Sequence, residues 1–358
     1  MRFHLPALPH TQLTPAYSCC AYTGKVERFA RMMRKLGHEV FLYESLDPLP
    51  PEDYCAQPFE PGHPRFAAHN AHCIAQIAAN KQPGDFLCVI AGRAQQPIAQ
   101  AHPDLRCVEF GVGYGGVFAD FCVFESYAWM HAVYAQQQGG ACQANGRFYD
   151  AVIPNYFDLD EFWEGEGKGC IRAFFEPVYV SSPGPTGSDG LRYLPYYLYL
   201  GRLTQRKGVQ IAEEACERIG ARLLIVGPPG DYLPRYGKVL GPVDPGTRNM
   251  LMGGAIATFV PTQYLEPFGG VAVESRLCGT PVITTDWGAF PETVEQGVDG
   301  FRCRTLAEFC DAAQAAPLLC RKRIRRRAQQ RFGMDVVARQ YEGYFARLQT
   351  LDGKGWYS

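Results

Sequence analysis

Apolar positions along this chain come in two patterns, short runs that are nearly all apolar and longer stretches where they recur every three or four residues. The patterns alternate in two consecutive series. In the first series residues 1–8 read as an opening strand. Val26, Phe29, Met32, Met33 and Leu36 then recur at spacings of three and four, which predicts a helix over 25–36 with one apolar face. Gly37 ends it, and 39–43 returns as a strand. A second helix is expected over 67–80, with Ile74, Ile77 and Ala78 on one side. Residues 86–91 are nearly all apolar, as in a parallel strand covered on both faces. Further strands are expected at 106–110, 121–124 and 151–154, and a helix at 127–137.

Between 161 and 191 the rhythm is lost, and turn-forming stretches such as Ser-Ser-Pro-Gly-Pro-Thr-Gly replace it. The second series then begins, with strands at 196–200, 222–226, 255–260 and 281–284 and helices at 209–219 and 271–278. A final helix is expected over 332–351. Strands alternating with helices, twice over, predict an α/β protein of two doubly wound domains. The boundaries read as 1–160 for the first domain, 161–191 for a linker or insertion, and 192–333 for the second.

The length of 358 residues agrees with two domains rather than one core. With 47% hydrophobic and 20% charged residues, the chain is not a disordered one. Lys and Arg total 35 and Asp and Glu total 36, so the net charge of -1 excludes whole-chain attraction to nucleic acid or anionic lipid. It leaves local patches open. The 14 cysteines include no C-x-x-C pair, which fits reduced, buried thiols better than a disulfide or zinc scaffold. No signal-peptide pattern opens the chain, and no run approaches the ~18 apolar residues of a membrane span. The expected location is cytoplasmic, with peripheral contact at the inner face of a membrane open.

The densest chemistry lies in Glu266-Pro-Phe-Gly-Gly-Val-Ala-Val-Glu274, between a predicted strand and a predicted helix. Phe268, Gly269, Gly270 and Val271 would stand at the helix N-terminus, where free backbone N–H groups bind phosphate oxygens and glycine allows close approach. Glu266 would lie in the loop and Glu274 about one turn into the helix. Carboxylates on both sides of an anion site suit a ligand with hydroxyls on both sides of a diphosphate, which describes a sugar nucleotide. A second strand-loop-helix passage, Gly201-Arg202-Leu-Thr-Gln-Arg-Lys207-Gly208, would aim Arg202 and Lys207 at the same crevice, two cations for a departing diphosphate. Gly227 ends a third strand in a glycine-rich turn.

These segments resemble the retaining GT-B glycosyltransferases of family GT4. Glu266 to Glu274 matches that family's E-x7-E, and Gly201 to Gly208 its G-R-x-x-x-x-K-G. Cys278-Gly-Thr-Pro-Val-Ile283, Gly297-Val-Asp-Gly-Phe301 and Val152-Ile-Pro-Asn-Tyr-Phe-Asp158 support the match. The resemblance implies two Rossmann-like domains facing each other across a cleft, with the helix at about 334–351 packing back on the first. It implies Arg202 and Lys207 on the donor diphosphate, Glu274 on the ribose hydroxyls and Glu266 on the transferred sugar. The amides of Phe268 to Val271 would take phosphate and sugar oxygens, and Val243 would lie along the base. The first domain departs from the family pattern. Tyr17 to Gly24 holds one glycine where a G-G-x-G-type loop is usual, and residues 108–116 hold no histidine. Gly24, Gly113 and Tyr114 are the candidate lining there.

Plainer readings stand beside these. Glu266 and Glu274 could be a helix cap and a surface residue. Every histidine lies at or before His131, and His69 and His72, three apart, lack further ligands for a metal. Asp158-Leu-Asp160 imitates a D-x-D metal motif but sits where a cap and turn are expected. Residues 321–331 carry seven cations, either a solvated helix face or a dock for an anionic acceptor or membrane.

The combined expectation is a retaining hexosyltransferase that needs no cofactor and no metal. It would move a sugar from a UDP- or GDP-sugar to a glycan, lipid-linked saccharide or other hydroxyl acceptor; a nucleic-acid acceptor is disfavoured by the charge. The alternatives are a sugar-nucleotide epimerase of GT-B-like fold and a non-catalytic nucleotide-sugar-binding protein.

Overall fold

A computed structural model describes residues 1–17, 20–51, 63–165, 167 and 195–357. The chain divides into two compact units, Met1–Phe157 with Gly333–Ser358, and Asp158–Phe332. Most of the 161–191 segment expected as a linker lies outside the described residues. Its described start belongs to the second unit, where Gly165 N–H donates to Cys278 O at 3.1 Å.

Unit 1 runs β1 (Arg2–Pro6), α1 (Ala21–Lys35), β2 (Glu39–Tyr43), α2 (Pro64–Asn80), β3 (Phe86–Val89), α3 (Gln96–Ala101), β4 (Arg106–Val112), β5 (Phe121–Phe124), α4 (Tyr127–Gln137) and β6 (Ala151–Val152). Its six strands pair in parallel in the order β2-β1-β3-β4-β5-β6. All four residues of β3 are buried, as its unbroken apolar run predicts. The buried face of α1 is the one its spacing predicts, with Val26, Phe29, Met32 and Met33 inside. That helix starts four residues earlier than expected, so Gly24 lies within its first turn rather than in the preceding loop.

Unit 2 runs β7 (Tyr197–Leu200), α5 (Val209–Arg218), β8 (Leu223–Val226), β9 (Lys238–Gly241), α6 (Pro245–Gly254), β10 (Thr258–Val260), α7 (Gly270–Leu277), β11 (Val282–Thr285), α8 (Phe290–Thr293), β12 (Gly300–Cys303), α9 (Leu306–Ala315) and α10 (Arg321–Phe332). Its strands, again parallel, follow the order β12-β11-β10-β7-β8-β9. Unlike the inner strands, β9 is a half-exposed edge, which hid it from a search for apolar runs.

The expected last helix is present and begins two residues later than 332, because Gly333 separates it from α10. Met334 N–H donates to Phe157 O at 3.0 Å, which starts α11 (Met334–Gln349) in unit 1. There Phe345 meets Phe3 at 4.8 Å and Phe86 at 4.9 Å edge to face, and Tyr341 meets Phe29 at 5.2 Å. Each such buried ring contributes about 1.5–3 kcal/mol.

In an open parallel sheet, ligands bind beyond the carboxyl ends of strands where the chain reverses its direction of winding. In unit 2 that point lies between β7 and β10, and in unit 1 between β1 and β3. Unit 1's is closed by one side chain. The fully buried Gln95 accepts from Ile90 N–H and Ala91 N–H at 2.9 and 3.0 Å and donates to Pro6 O and Ala7 O at 3.1 Å each.

Candidate functional site

At the switch point of unit 2, the loop after β7 and the loop after β10 meet. A short turn, Gln205–Lys207, follows β7, and Gly208 turns the chain into α5. Gly208 has φ +75, and a Cβ there would lie 2.0 Å from Pro261 O. Only glycine therefore lets the two loops approach this closely. Gln263 N–H donates to Arg206 O at 2.9 Å, a hydrogen bond between them. Lys207 Nζ consequently reaches Glu266 Oε2 at 3.1 Å and stands 4.9 Å from the centre of the Tyr264 ring. Burial works against the Lys207 ammonium. The Glu266 carboxylate and the Tyr264 hydroxyl outweigh it and hold its pKa above the ordinary lysine value.

Glu266 is fixed from behind. Ala289 N–H donates to its carbonyl at 2.9 Å, and Gly288, with φ +61, packs against its backbone. Three residues on, Gly269 adopts φ +81 as the N-cap of α7 and presents no side chain to the helix N-terminus. A Cβ there would strike the Phe290 ring at 2.6 Å. The Phe268 ring turns inward, buried and 5.8 Å from Phe332. Glu274 is the fifth residue of α7, and its Oε2 lies 3.6 Å from Arg248 of α6. Arg276, fully buried, anchors α7 by donating from Nε to Ala272 O at 2.9 Å and pairing with Asp299 at 3.3 Å. Burial pulls its pKa to about 10, with Asp299 opposing.

The third loop, after β8, folds onto the first. Gly227 has φ +144, and a Cβ there would lie 2.0 Å from Gly201 O. Arg202, on the loop after β7, is exposed, and Val243 is half-buried just before α6. Lys207 and Glu266 are thus in contact, while Glu274 sits one helical turn away beside Arg248.

In unit 1, Gly113 and Tyr114 follow β4 and face the first turn of α1. Tyr22 O–H donates to Gly113 O at 3.4 Å, and the Tyr22 and Tyr114 rings lie 5.9 Å apart. The Tyr114 hydroxyl donates to Glu109 at 2.9 Å. Beneath them Lys25 Nζ contacts Glu125 Oε1, both buried, and a Cβ on Gly113 would press on the Glu125 carboxylate at 2.7 Å. Burial pulls the Lys25 ammonium below the ordinary lysine value.

Several of these residues escaped the sequence reading. Lys25 directly follows Gly24, and Glu125 directly follows the apolar run 121–124; a charge abutting an all-apolar strand was the available signal. Tyr264 stands two residues before Glu266, but Arg248 carries no motif at all.

The other candidates have structural partners. Asp158 Oδ1 accepts from Asp160 N–H at 3.0 Å, a cap and turn as expected. His69 is buried and donates to Ala7 O at 3.0 Å. In α10, Arg321, Arg325, Arg327 and Arg331 bind carbonyls or carboxylates of unit 2. Lys322, Arg323 and Arg326 are exposed. No helix among the described residues is long and apolar enough to cross a membrane.

Residues 195–316 match the family model described as glycosyl transferases group 1. An uncharacterized glycosyltransferase of Methanocaldococcus jannaschii is 36% identical over 167 residues, covering 42% of this chain and 39% of that protein. The D-inositol 3-phosphate glycosyltransferase of Mycolicibacterium smegmatis is 35% identical over 185 residues, 47% of this chain and 39% of its own length. The chain thus spans about two fifths of the length of these curated relatives. Among solved structures, a glycosyltransferase involved in avilamycin A biosynthesis superposes with a TM-score of 0.66 at 18% identity, over 97% of both chains. Anabaena HepE in complex with UDP and glucose gives 0.64 at 17% identity, over 98% of this chain and 99% of that one. The fold is that of the GT-B glycosyltransferases, an α/β architecture of two parallel-sheet units.

Proposed function

We propose, from the match of residues 195–316 to the glycosyl transferases group 1 family, that this protein is a glycosyltransferase of GT4 type. Its donor is a sugar nucleotide, UDP- or GDP-linked, bound at the carboxyl edge of unit 2, and its acceptor is a hydroxyl. The observation that carries the reading is the meeting of Lys207 with Glu266 at the switch point, beside a glycine-opened helix N-terminus. The relatives and structural neighbours include glycosyltransferases and one structure in complex with UDP and glucose, which supports the same class.

In this reading Lys207, Arg202 and the amides of Gly269, Gly270 and Val271 take the diphosphate, and Glu266 orients the sugar. The bond from the anomeric carbon to the phosphate oxygen loosens first, and its electron pair leaves with the diphosphate. The cations and the positive end of α7 stabilise that charge as it develops. The acceptor oxygen bonds to the anomeric carbon on the face the phosphate leaves, and its proton passes to the departing phosphate oxygen. Configuration is retained, and neither a metal nor a carboxylate base is needed.

The test is a panel of UDP- and GDP-sugars assayed for nucleotide release with and without a chelator, with the product anomer assigned by NMR. Release unaffected by the chelator and a retained anomer are expected. An absolute metal requirement or an inverted product contradicts the mechanism. An epimerised donor formed without acceptor, or tight binding without turnover, contradicts transfer itself.

A further inference from the structure

The carboxylate Glu274 has a neighbour that no motif announces. Arg248, on the first turn of α6, points its guanidinium at Glu274 across the gap to α7, with 24% and 16% of the two side chains exposed. Their separation of 3.6 Å is within ion-pair range but too long for a hydrogen bond. Glu274 Oε2 and Arg248 Nε are both buried, and neither has a hydrogen-bond partner among the described residues. Arg321 and Arg325 of α10 are treated differently. Arg321 donates to three carbonyls and Thr280 Oγ1, and Arg325 donates to two carbonyls.

A charge-assisted hydrogen bond between such groups closes to about 2.7–2.9 Å. This one stays open, with an unsatisfied acceptor on one side and an unsatisfied donor on the other. An anion entering the gap meets Glu274, and a cation meets Arg248. A neutral group that both donates and accepts satisfies each, and a hydroxyl does both. Glu274 lies four residues, about 6 Å, along α7 from its anion-binding N-terminus, the reach of one sugar ring beyond a phosphate.

We propose that Arg248 is a specificity-determining residue. With Glu274 it clamps a vicinal diol, Glu274 accepting from the hydroxyls and Arg248 donating to one of their oxygens, so the site selects a ribonucleotide over its 2′-deoxy counterpart. This rests on the reading of unit 2 as a sugar-nucleotide site.

The experiment measures the affinity of the full chain for UDP, GDP, 2′-deoxy-UDP and 2′-deoxy-GDP by calorimetry. Arg248→Met and Arg248→Lys are measured beside the wild type, with thermal melts taken without ligand. Wild type is expected to prefer the ribose form by about tenfold or more, since a site built around a hydroxyl rejects the analogue lacking it. Arg248→Met should still bind the diphosphates, with that preference cut to about threefold or less, and Arg248→Lys should restore part of it. An unchanged ratio in Arg248→Met, or no preference in wild type, overturns the clamp and leaves the donor site standing. A loss in Arg248→Met that is equal for ribose and deoxyribose forms also overturns it and makes Arg248 a structural partner. No binding of any of the four diphosphates overturns the donor site and the clamp together.

Discussion

The two units share a sheet plan and treat its switch point in opposite ways. In unit 2 the crevice between β7 and β10 is opened by glycines at 208, 269 and 288 and lined by a lysine, a carboxylate and a phenol. In unit 1 the crevice between β1 and β3 is plugged by Gln95, whose amide satisfies four backbone groups. Unit 1 keeps its charged pair, Lys25 and Glu125, farther along the sheet, beyond β4 and β5. The same topology offers a binding crevice twice, and side chains decide where it is used. In the proposed reading unit 2's takes an anionic ligand, while the Gln95 bonds tie the strand ends of unit 1 together.

The contrast breaks if the lysine at the open switch point proves dispensable. Lys207→Ala is expected to lower kcat by about a hundred- to a thousandfold, the usual loss on removing a group that stabilises developing charge. Nucleotide release under saturating donor, with a thermal melt as the folding control, checks this. At the closed switch point, Gln95→Leu should cost unit 1 roughly 3 kcal/mol, because Ile90 N–H, Ala91 N–H and Pro6 O lose the Gln95 amide, while Ala7 O keeps His69. Nucleotide affinity in unit 2 should be unmoved. Chemical denaturation alongside a nucleotide titration separates these outcomes, and a variant as stable as wild type would remove Gln95 from the account.

A subtler difference is acid sensitivity. All eight histidines lie at or before His131, so unit 2 has none. Burial lowers the pKa of His4, His10, His38, His69 and His102, His10 from 6.5 to about 4. The unfolded chain therefore takes up protons at higher pH than the folded one, and stability falls as pH drops below 6.5. His10 alone accounts for roughly 3 kcal/mol across that window. Asp150, pushed up by burial from 3.8 to about 6, opposes it, because its folded form takes up the proton first. Hydrogen exchange at pH ~5.5 and ~7.5 should show β1 and β3 losing protection while β7 and β10 keep theirs. Equal losses in both units would erase the distinction.

Much of the second unit's site was legible because its chemistry is contiguous. Glu266 to Glu274 spans one loop and one helical turn, so its spacing on the page is its spacing in the fold. The strand pattern was equally plain wherever strands are buried on both faces, as in β3 and β5. Long-range partners were not legible. Arg248 meets Glu274 only because α6 packs beside α7, and Lys25 meets Glu125 across 100 residues. Gln95 reads as an ordinary polar residue until the ends of β1 and β3 are brought together. The cation-rich run at 321–331 hid its long-range partners too, since four of its arginines bind carbonyls and carboxylates within the same unit while Lys322, Arg323 and Arg326 are exposed.

The central claim is that the donor sits at the carboxyl edge of unit 2. Hydrogen exchange of the full chain with and without a saturating UDP- or GDP-sugar tests it most directly. New protection is expected in residues 201–208 and 264–274, with β1 and β3 unchanged, and that protection should be lost in Lys207→Ala. Protection confined to unit 1, or the same footprint in Lys207→Ala as in wild type, would contradict it.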